Sequence, residues 1–174
     1  KDDRRRQILK AAVRVFAERG YHGCRISDIA EEAGVAYGLV YHYFGNKDGL
    51  LRNIFETNWT LFGAAMQRIA DDSTLTPPEK VAAFIDYVVG SYTLTPEVIK
   101  VLLIEFARSS RIGDALEDPE LSQVFQVFSK TFAEAQASGD LSPSIDPEAL
   151  GFIFFGAAES GLVQVVLPQD GKTL

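Results

Sequence analysis

Apolar residues recur at helical spacing along the chain, most regularly between residues 26 and 44. Those from Ile26 to Ala33 lie three or four positions apart, on one face of a short helix, and Gly34 marks its end. A second short helix is predicted from about residue 36, with Val40 and Phe44 facing inward. Two short helices joined by a tight turn form a helix-turn-helix, and the second helix of that motif enters the major groove of DNA.

Longer helices are predicted on both sides of this motif. A first helix spans residues 4–19 and ends at Gly20. The cluster from Arg4 to Arg6 at its start is either an arm toward phosphate or a solvated basic terminus. Asn46 is expected to cap a long helix. The apolar positions of that helix are Leu50, Ile54, Leu61, Ala65 and Ile69.

Four further helices begin with one repeated signal, in which Thr or Asp precedes Pro and Glu. It occurs at residues 76–79, 95–97, 118–120 and 146–148. The order favours a helix start, because it supplies a capping oxygen, a preset φ and a carboxylate near the positive end of the helix dipole. The predicted helices span residues 77–93, 96–109, 119–138 and 147–167. No strand alternation appears, so the predicted fold is all-α.

Charge is divided along the chain. Residues 1–52 contain ten Lys or Arg and seven Asp or Glu, so they carry +3, and the remainder carries −10 for a total of −7. This polarity is expected if only the first region approaches phosphates. The single cysteine excludes an internal disulfide, no apolar signal segment follows the charged start, and Glu159 interrupts the apolar stretch 149–167. We therefore expect a cytoplasmic protein without a membrane span.

One group of motifs keeps its spacing without a gap. It consists of Gly20-Tyr21, the run Ile29-Ala30-Glu31-Glu32-Ala33-Gly34-Val35-Ala36-Tyr37-Gly38-Leu39-Val40-Tyr41-His42-Tyr43-Phe44, then Lys47 and Leu50. These motifs resemble the DNA-binding domain of the tetracycline-repressor (TetR) family over about residues 4–55. The resemblance implies a helix-turn-helix DNA-binding domain at residues 1–47 and a helical ligand-binding and dimerisation domain at residues 48–174.

The second helix of the motif carries most of the candidate DNA contacts. The tyrosine hydroxyls suit phosphate oxygens, whereas Tyr37 and Leu39 are better placed for base contact. Gly38 either lets the backbone approach DNA or serves helix packing, and Lys47 either matches the family's phosphate-contacting lysine or is simply exposed. The sequence departs from the family near Cys24 and Arg25, where a Thr usually caps the helix and touches phosphate. Ala36 stands where a Ser or Thr would cap the second helix of the motif. The candidates are Arg25, Tyr37, Gly38, Leu39, Tyr41, His42, Tyr43 and Lys47.

Aromatic residues recur along the later helices and suggest an apolar effector cavity, although such stripes are also typical of a core. The stretch 101–108 further resembles TetR-family regulators of fatty-acid degradation. That resemblance implies an acyl-CoA or another lipid-like effector, with Arg108 or Arg111 near the mouth of its site. The candidate ligand residues are Asn58, Trp59, Phe62, Phe84, Tyr87, Glu105, Phe106, Arg108 and Phe128.

The last predicted helix is apolar nearly all round and mixes large with small residues, so it must be buried on more than one side. We expect a two-fold, four-helix homodimer interface built from residues 119–138 and 147–167, in line with the family pattern. Its candidate residues are Phe125, Phe128, Phe132, Phe154, Gly156, Ala157, Ser160 and Gly161.

Three hypotheses follow from these patterns. The first is a dimeric regulator, repressor or activator, that binds a near-palindromic operator and responds to a hydrophobic small molecule. The second is a helical enzyme, which two His, one Cys and no ligand-spaced cluster disfavour, so no catalytic residue, metal or cofactor is expected. The third is a ligand-binding or protein-interaction module that has lost DNA binding, suggested by Cys24, Arg25 and Ala36.

Overall fold

The computed structural model describes residues 2–108 and 119–166, and the side-chain surroundings of residues 3–105 and 121–166. The described residues form helices and no strand, which confirms the all-α prediction. The four helices that open with the Pro and Glu signal begin at the predicted residue, and those that begin at Pro77 and Pro119 end within one residue of the predicted end. The predicted ends at residues 109 and 167 lie outside the described residues. The helices are α1 (Asp2–Arg19), α2 (Ile26–Glu32), α3 (Tyr37–Phe44), α4 (Lys47–Ala70), α5 (Pro77–Leu94), α6 (Pro96–Arg108), α7 (Pro119–Ala137) and α8 (Pro147–Val166).

The described residues fall into two compact units. Unit one contains α1, α2, α3, the part of α4 up to Asn58, and α6. Unit two contains α4 from Trp59 onward, α5, α7 and α8. Packing therefore groups α6 and the start of α4 with the helix-turn-helix. The functional boundary between residues 47 and 48 stays a prediction.

Unit one is built around α1. Residues on one face of this helix are buried, among them Ile8 and Phe16, and they pack with buried residues of the helix-turn-helix such as Ile29. Gly34 has a φ of 61°, a conformation that glycine adopts without strain. It ends α2 in a tight turn in which the Val35 amide donates to the Ala30 carbonyl at 3.0 Å. The predicted turn between α2 and α3 is thus confirmed.

Unit two is held mainly by α7, which packs against α5 and α8. A Cβ atom added to Gly151 of α8 would lie 3.1 Å from the Ser129 hydroxyl oxygen of α7, so the small residue allows close approach of the two helices. Lys80 of α5 is buried and pairs with Glu134 of α7 at 3.0 Å. Leu61 of α4 is 61% exposed, because the core of unit two faces a different side of this helix.

Candidate DNA-binding surface and effector region

Helix α3 has one buried face and one exposed face. Val40 and Phe44 are buried, as predicted. Tyr37, Gly38 and Tyr41 are exposed, and His42 is exposed with them. Leu39 and Tyr43 are half-buried and pack against the core of unit one, so they present only part of their surface to a partner. The face available for DNA consists mainly of four residues.

Two of these exposed residues form a pair. The Tyr37 hydroxyl donates a hydrogen bond to the Tyr41 hydroxyl at 2.9 Å, and the ring centroids lie 4.9 Å apart. This hydrogen bond raises the pKa of Tyr37, because the bond is lost when Tyr37 gives up its proton. The spacing of four residues brings the two rings together on one face of the helix. The pairing of their hydroxyls is a feature that sequence analysis missed.

Gly38 has an open surface around it. No heavy atom lies within 4 Å of the position that a Cβ atom would take, within the described residues. The packing alternative for Gly38 therefore finds no support, and the exposed position leaves the helix backbone accessible at that point. The helix itself begins without a side-chain cap at Ala36, as expected from the sequence.

Lys47 is tied into the protein. Its ammonium group donates to the Tyr21 carbonyl at 2.7 Å and to the Cys24 carbonyl at 2.9 Å, and it lies 4.3 Å from the centroid of the Tyr21 ring. The Tyr21 hydroxyl also donates to Asp48 at 2.6 Å. The lysine has a third N–H group, so phosphate contact by Lys47 stays a prediction. Cys24 lies buried beneath this cluster, and burial raises the pKa of its thiol.

Two further basic regions of unit one are placed by the structure. Arg25 is exposed at the start of α2, where its backbone amide donates to the Asp28 carboxylate at 2.7 Å. Residues 4–6 belong to α1, which begins at Asp2, and their contact with phosphate stays one of two alternatives. Arg5 donates to Asn53 at 2.8 Å and lies 5.6 Å from the centroid of the Phe44 ring. This places a fixed guanidinium beside the last residue of α3, a contact that no local sequence signal indicates.

The predicted ligand residues separate into three groups. In unit two, Trp59, Phe62 and Tyr87 form a continuous series of ring contacts, with centroids 5.2 and 6.0 Å apart. Phe84 and Phe128 also touch, at 5.1 Å, but they are 1% and 2% exposed and pack as core. In unit one lie the half-buried Asn58 and Glu105. The side chains of Phe106 and Arg108, and all of Arg111, lie outside the described residues.

Unit one also contains an open cleft of about 290 Å³. Asn58 is the one predicted ligand residue that lines it, and its side-chain amide donates to the Ile54 carbonyl at 2.8 Å. The walls combine apolar with charged side chains. They are Leu9, Lys10, Val13, Arg14, Ile54, Thr57, Asn58, Glu97 and Val98.

Helix α8 presents an exposed stripe at the spacing expected for one helical face. The stripe includes the predicted interface residues Gly156, Ala157, Ser160 and Gly161, and it also includes Ile153 and Val165, which are 63% and 64% exposed. The other predicted interface residues pack within unit two. Phe132 and Phe154 are half-buried, whereas Phe125 and Phe128 are only 9% and 2% exposed. Those two side chains therefore offer little surface to a second subunit.

By length and composition alone, α8 would also pass as a membrane span, as would α5 and the first part of α6 taken together. The mean hydropathy of α8 is 1.6, and 6% of it is buried within the protein. Such a helix would be covered by lipid if it spanned a membrane, or by another protein surface if it did not.

In the described part of the chain, no group of three or more His, Cys, Asp or Glu side chains is placed to hold a metal ion.

Residues 8–54 match the family described as "Bacterial regulatory proteins, tetR family". Similarity continues beyond them: the fatty acid metabolism regulator protein of Bacillus subtilis (strain 168) is 28% identical over 163 residues, which cover 92% of this chain and 82% of that protein. Residues 8–54 belong to the TetR family. The chain is a DNA-binding transcriptional regulator and not an enzyme, like the relatives that it matches.

Two solved structures resemble this protein over nearly all of its length. The transcriptional regulator FadR from Bacillus subtilis, in complex with stearoyl-CoA, superimposes with a TM-score of 0.79 and 28% identity, covering 92% of this chain and 86% of that one. AibR, in complex with isovaleryl coenzyme A and operator DNA, has a TM-score of 0.76 and 25% identity, covering 97% and 90%. The resemblance to the fatty-acid regulator branch is thereby confirmed.

Proposed function

We propose that this protein is a cytoplasmic, homodimeric repressor that binds a near-palindromic operator and is released from it by an acyl-CoA. The observation that carries the proposal is the extent of the similarity to the fatty acid metabolism regulator, which runs over 92% of the chain and not only through the helix-turn-helix. Two similar structures hold acyl-CoA molecules, stearoyl-CoA in one and isovaleryl coenzyme A in the other. The length of the acyl chain is therefore open to experiment.

The exposed stripe of α8 supports the dimer. An apolar face that carries Ile153, Val165 and four small residues would be covered by the same face of a second copy, since a two-fold axis brings identical surfaces together. Membrane insertion is the less favourable alternative, because Glu159 lies within the helix and a carboxylate near the centre of a bilayer costs about 2.5–3.5 kcal/mol. In a dimer, two copies of α3 would meet successive major grooves roughly 34 Å apart.

The aromatic series of unit two supports an apolar effector site. Trp59 and Phe62 lie on α4, and Tyr87 lies on α5, so an acyl chain against these rings would contact both helices. Helix α4 is continuous from Lys47, directly after the helix-turn-helix, to Ala70. An effector that favours one position of this helix would lower DNA affinity if DNA favours another, because the two binding equilibria are linked.

Fluorescence polarisation on a labelled duplex tests the proposal. The protein is bound first to DNA from the region upstream of its own gene, and then stearoyl-CoA, isovaleryl-CoA, free CoA or stearate is added. One acyl-CoA should weaken operator binding by about 5- to 150-fold, the usual range of allosteric coupling, while free CoA should not. Phe62→Ala should remove the response and keep DNA binding, whereas Leu61→Ala, at the exposed neighbouring position, should keep both.

The outcomes separate the alternatives. If the protein prefers one DNA sequence but no acyl-CoA alters its binding, acyl-CoA is rejected as the effector class, and the assignment as a DNA-binding regulator stands. The absence of any sequence preference would instead favour a ligand-binding or interaction module that no longer binds DNA.

A further inference from the structure

Helix α3 lacks the side chains that most often identify bases in the major groove. Its sequence, Tyr-Gly-Leu-Val-Tyr-His-Tyr-Phe, contains no Arg, Lys, Asn or Gln. Bidentate contacts to guanine and adenine depend on those four residue types. Discrimination by this helix must therefore use hydroxyl groups, one imidazole and apolar contacts.

The Tyr37–Tyr41 pair holds the two most exposed hydroxyl-bearing side chains of this helix. Tyr37 is 52% exposed and Tyr41 is 41% exposed. Tyr37 is the first residue of α3, and the N-terminal residues of a recognition helix are the ones that contact base edges. Tyr41 follows one turn later, and tyrosine hydroxyls commonly bond phosphate. The two hydroxyl oxygens lie 2.9 Å apart.

The chemistry of phosphate sets the direction of hydrogen bonding through this pair. A tyrosine hydroxyl has one hydrogen to donate and lone pairs to accept. Phosphodiester oxygens only accept, so Tyr41 must give its single hydrogen to the phosphate. The bond that joins the two hydroxyl oxygens at 2.9 Å must then have Tyr37 as its donor and Tyr41 as its acceptor. With its hydrogen committed to Tyr41, Tyr37 has only lone pairs left for a base.

We infer that Tyr37 and Tyr41 act as one relay in which Tyr41 bonds a phosphate and Tyr37 accepts a hydrogen bond from an exocyclic amino group, adenine N6 or cytosine N4. These are the amino donors of the major groove, whereas guanine and thymine present acceptors there. The inference rests on the proposed function, because it requires α3 to lie in the major groove. Tyr37 is thus a specificity-determining residue, and Tyr41 fixes its role as an acceptor.

The test begins with duplexes enriched from a random-sequence pool by the full chain. Each adenine of the enriched site is then replaced by 2-aminopurine, and each cytosine by 2-pyrimidinone, because both analogues lack the major-groove amino group. At one position per half-site, this change should weaken wild-type binding by about 5- to 10-fold, the value of one hydrogen bond. Tyr37→Phe should bind the parent and the analogue equally well.

Tyr41→Phe gives a second and distinct signature. It should weaken binding to every duplex, because a phosphate contact is lost. It should also abolish or reverse the amino preference, since Tyr37 would then be free to donate to guanine O6 or thymine O4. Tyr92→Phe, a tyrosine of unit two, is the control and should change neither quantity.

Each result is decisive for one idea. The relay would be overturned if Tyr37→Phe still distinguished the parent duplex from the analogue, or if the wild-type preference depended on guanine O6 or thymine O4. Either result would leave the proposed function standing. Failure to enrich any sequence would instead reject the proposed function.

Discussion

The side chain of Lys47 contributes to the stability of the fold around the helix-turn-helix. Its ammonium group joins the carbonyls of Tyr21 and Cys24, in the segment between α1 and α2, to the first residue of α4. A charged donor that satisfies two partly buried carbonyls, next to an aromatic ring, stabilises the fold as well as any contact with DNA. The two contributions can be measured separately.

We expect Lys47→Met to lower the free energy of unfolding by about 2 kcal/mol, because it leaves two carbonyls without their donor and removes the cation–π contact. Urea unfolding measures this loss. The predicted phosphate contact adds a second effect, a salt dependence of DNA binding reduced by about one counterion. Lys10→Met, at an exposed lysine of α1, is the control and should leave stability nearly unchanged. An unchanged stability of Lys47→Met would contradict the bonding described above.

Gly38 decides how helix α3 meets a partner. Glycine in a helix costs about 0.5–1 kcal/mol relative to alanine, and here nothing in the described residues occupies the space of a Cβ atom. The cost is therefore not offset by packing. Close approach of the backbone to DNA would account for it.

Gly38→Ala should consequently have effects of opposite sign on stability and on binding. We expect the free energy of unfolding to rise by about 0.5–1 kcal/mol, because alanine favours the helix. Operator affinity should fall roughly tenfold, or about 1.4 kcal/mol, because the new methyl group separates the backbone from DNA. Thermal unfolding and fluorescence polarisation on one preparation measure both. A gain in stability with unchanged affinity would show that Gly38 does not approach DNA.

The elements of this fold differ in how far the sequence predicts them. Helix starts such as those at Pro77 and Pro147 were predicted correctly, because the capping residue, the proline and the carboxylate all lie within four positions. The bond from Lys47 to Tyr21 was not, because it joins residues 26 positions apart that only the tertiary fold brings together. Spacing places Tyr37 beside Tyr41 but does not show that their hydroxyls bond. The exposure of Leu61 likewise depends on which side of α4 a core occupies.

Helix α8 links the state of the whole molecule to the proposed binding of DNA. A single helix-turn-helix forms few contacts, and a second copy held in register raises the affinity by making its own binding event intramolecular. Operator binding and assembly should therefore be lost together. A substitution in the exposed stripe of α8 can disrupt dimer assembly without disturbing the core of unit two.

A matched pair of substitutions makes this test. Ile153→Arg places a charge on the α8 stripe, and Val89→Arg places one on α5; both residues are β-branched, and they are 63% and 55% exposed. We expect Ile153→Arg to yield a monomer by sedimentation velocity, since two like charges would meet across the two-fold axis, and to weaken operator binding roughly 100-fold or more. Val89→Arg should remain dimeric and bind normally. A stable dimer of Ile153→Arg, or dissociation caused by Val89→Arg, would place the interface elsewhere.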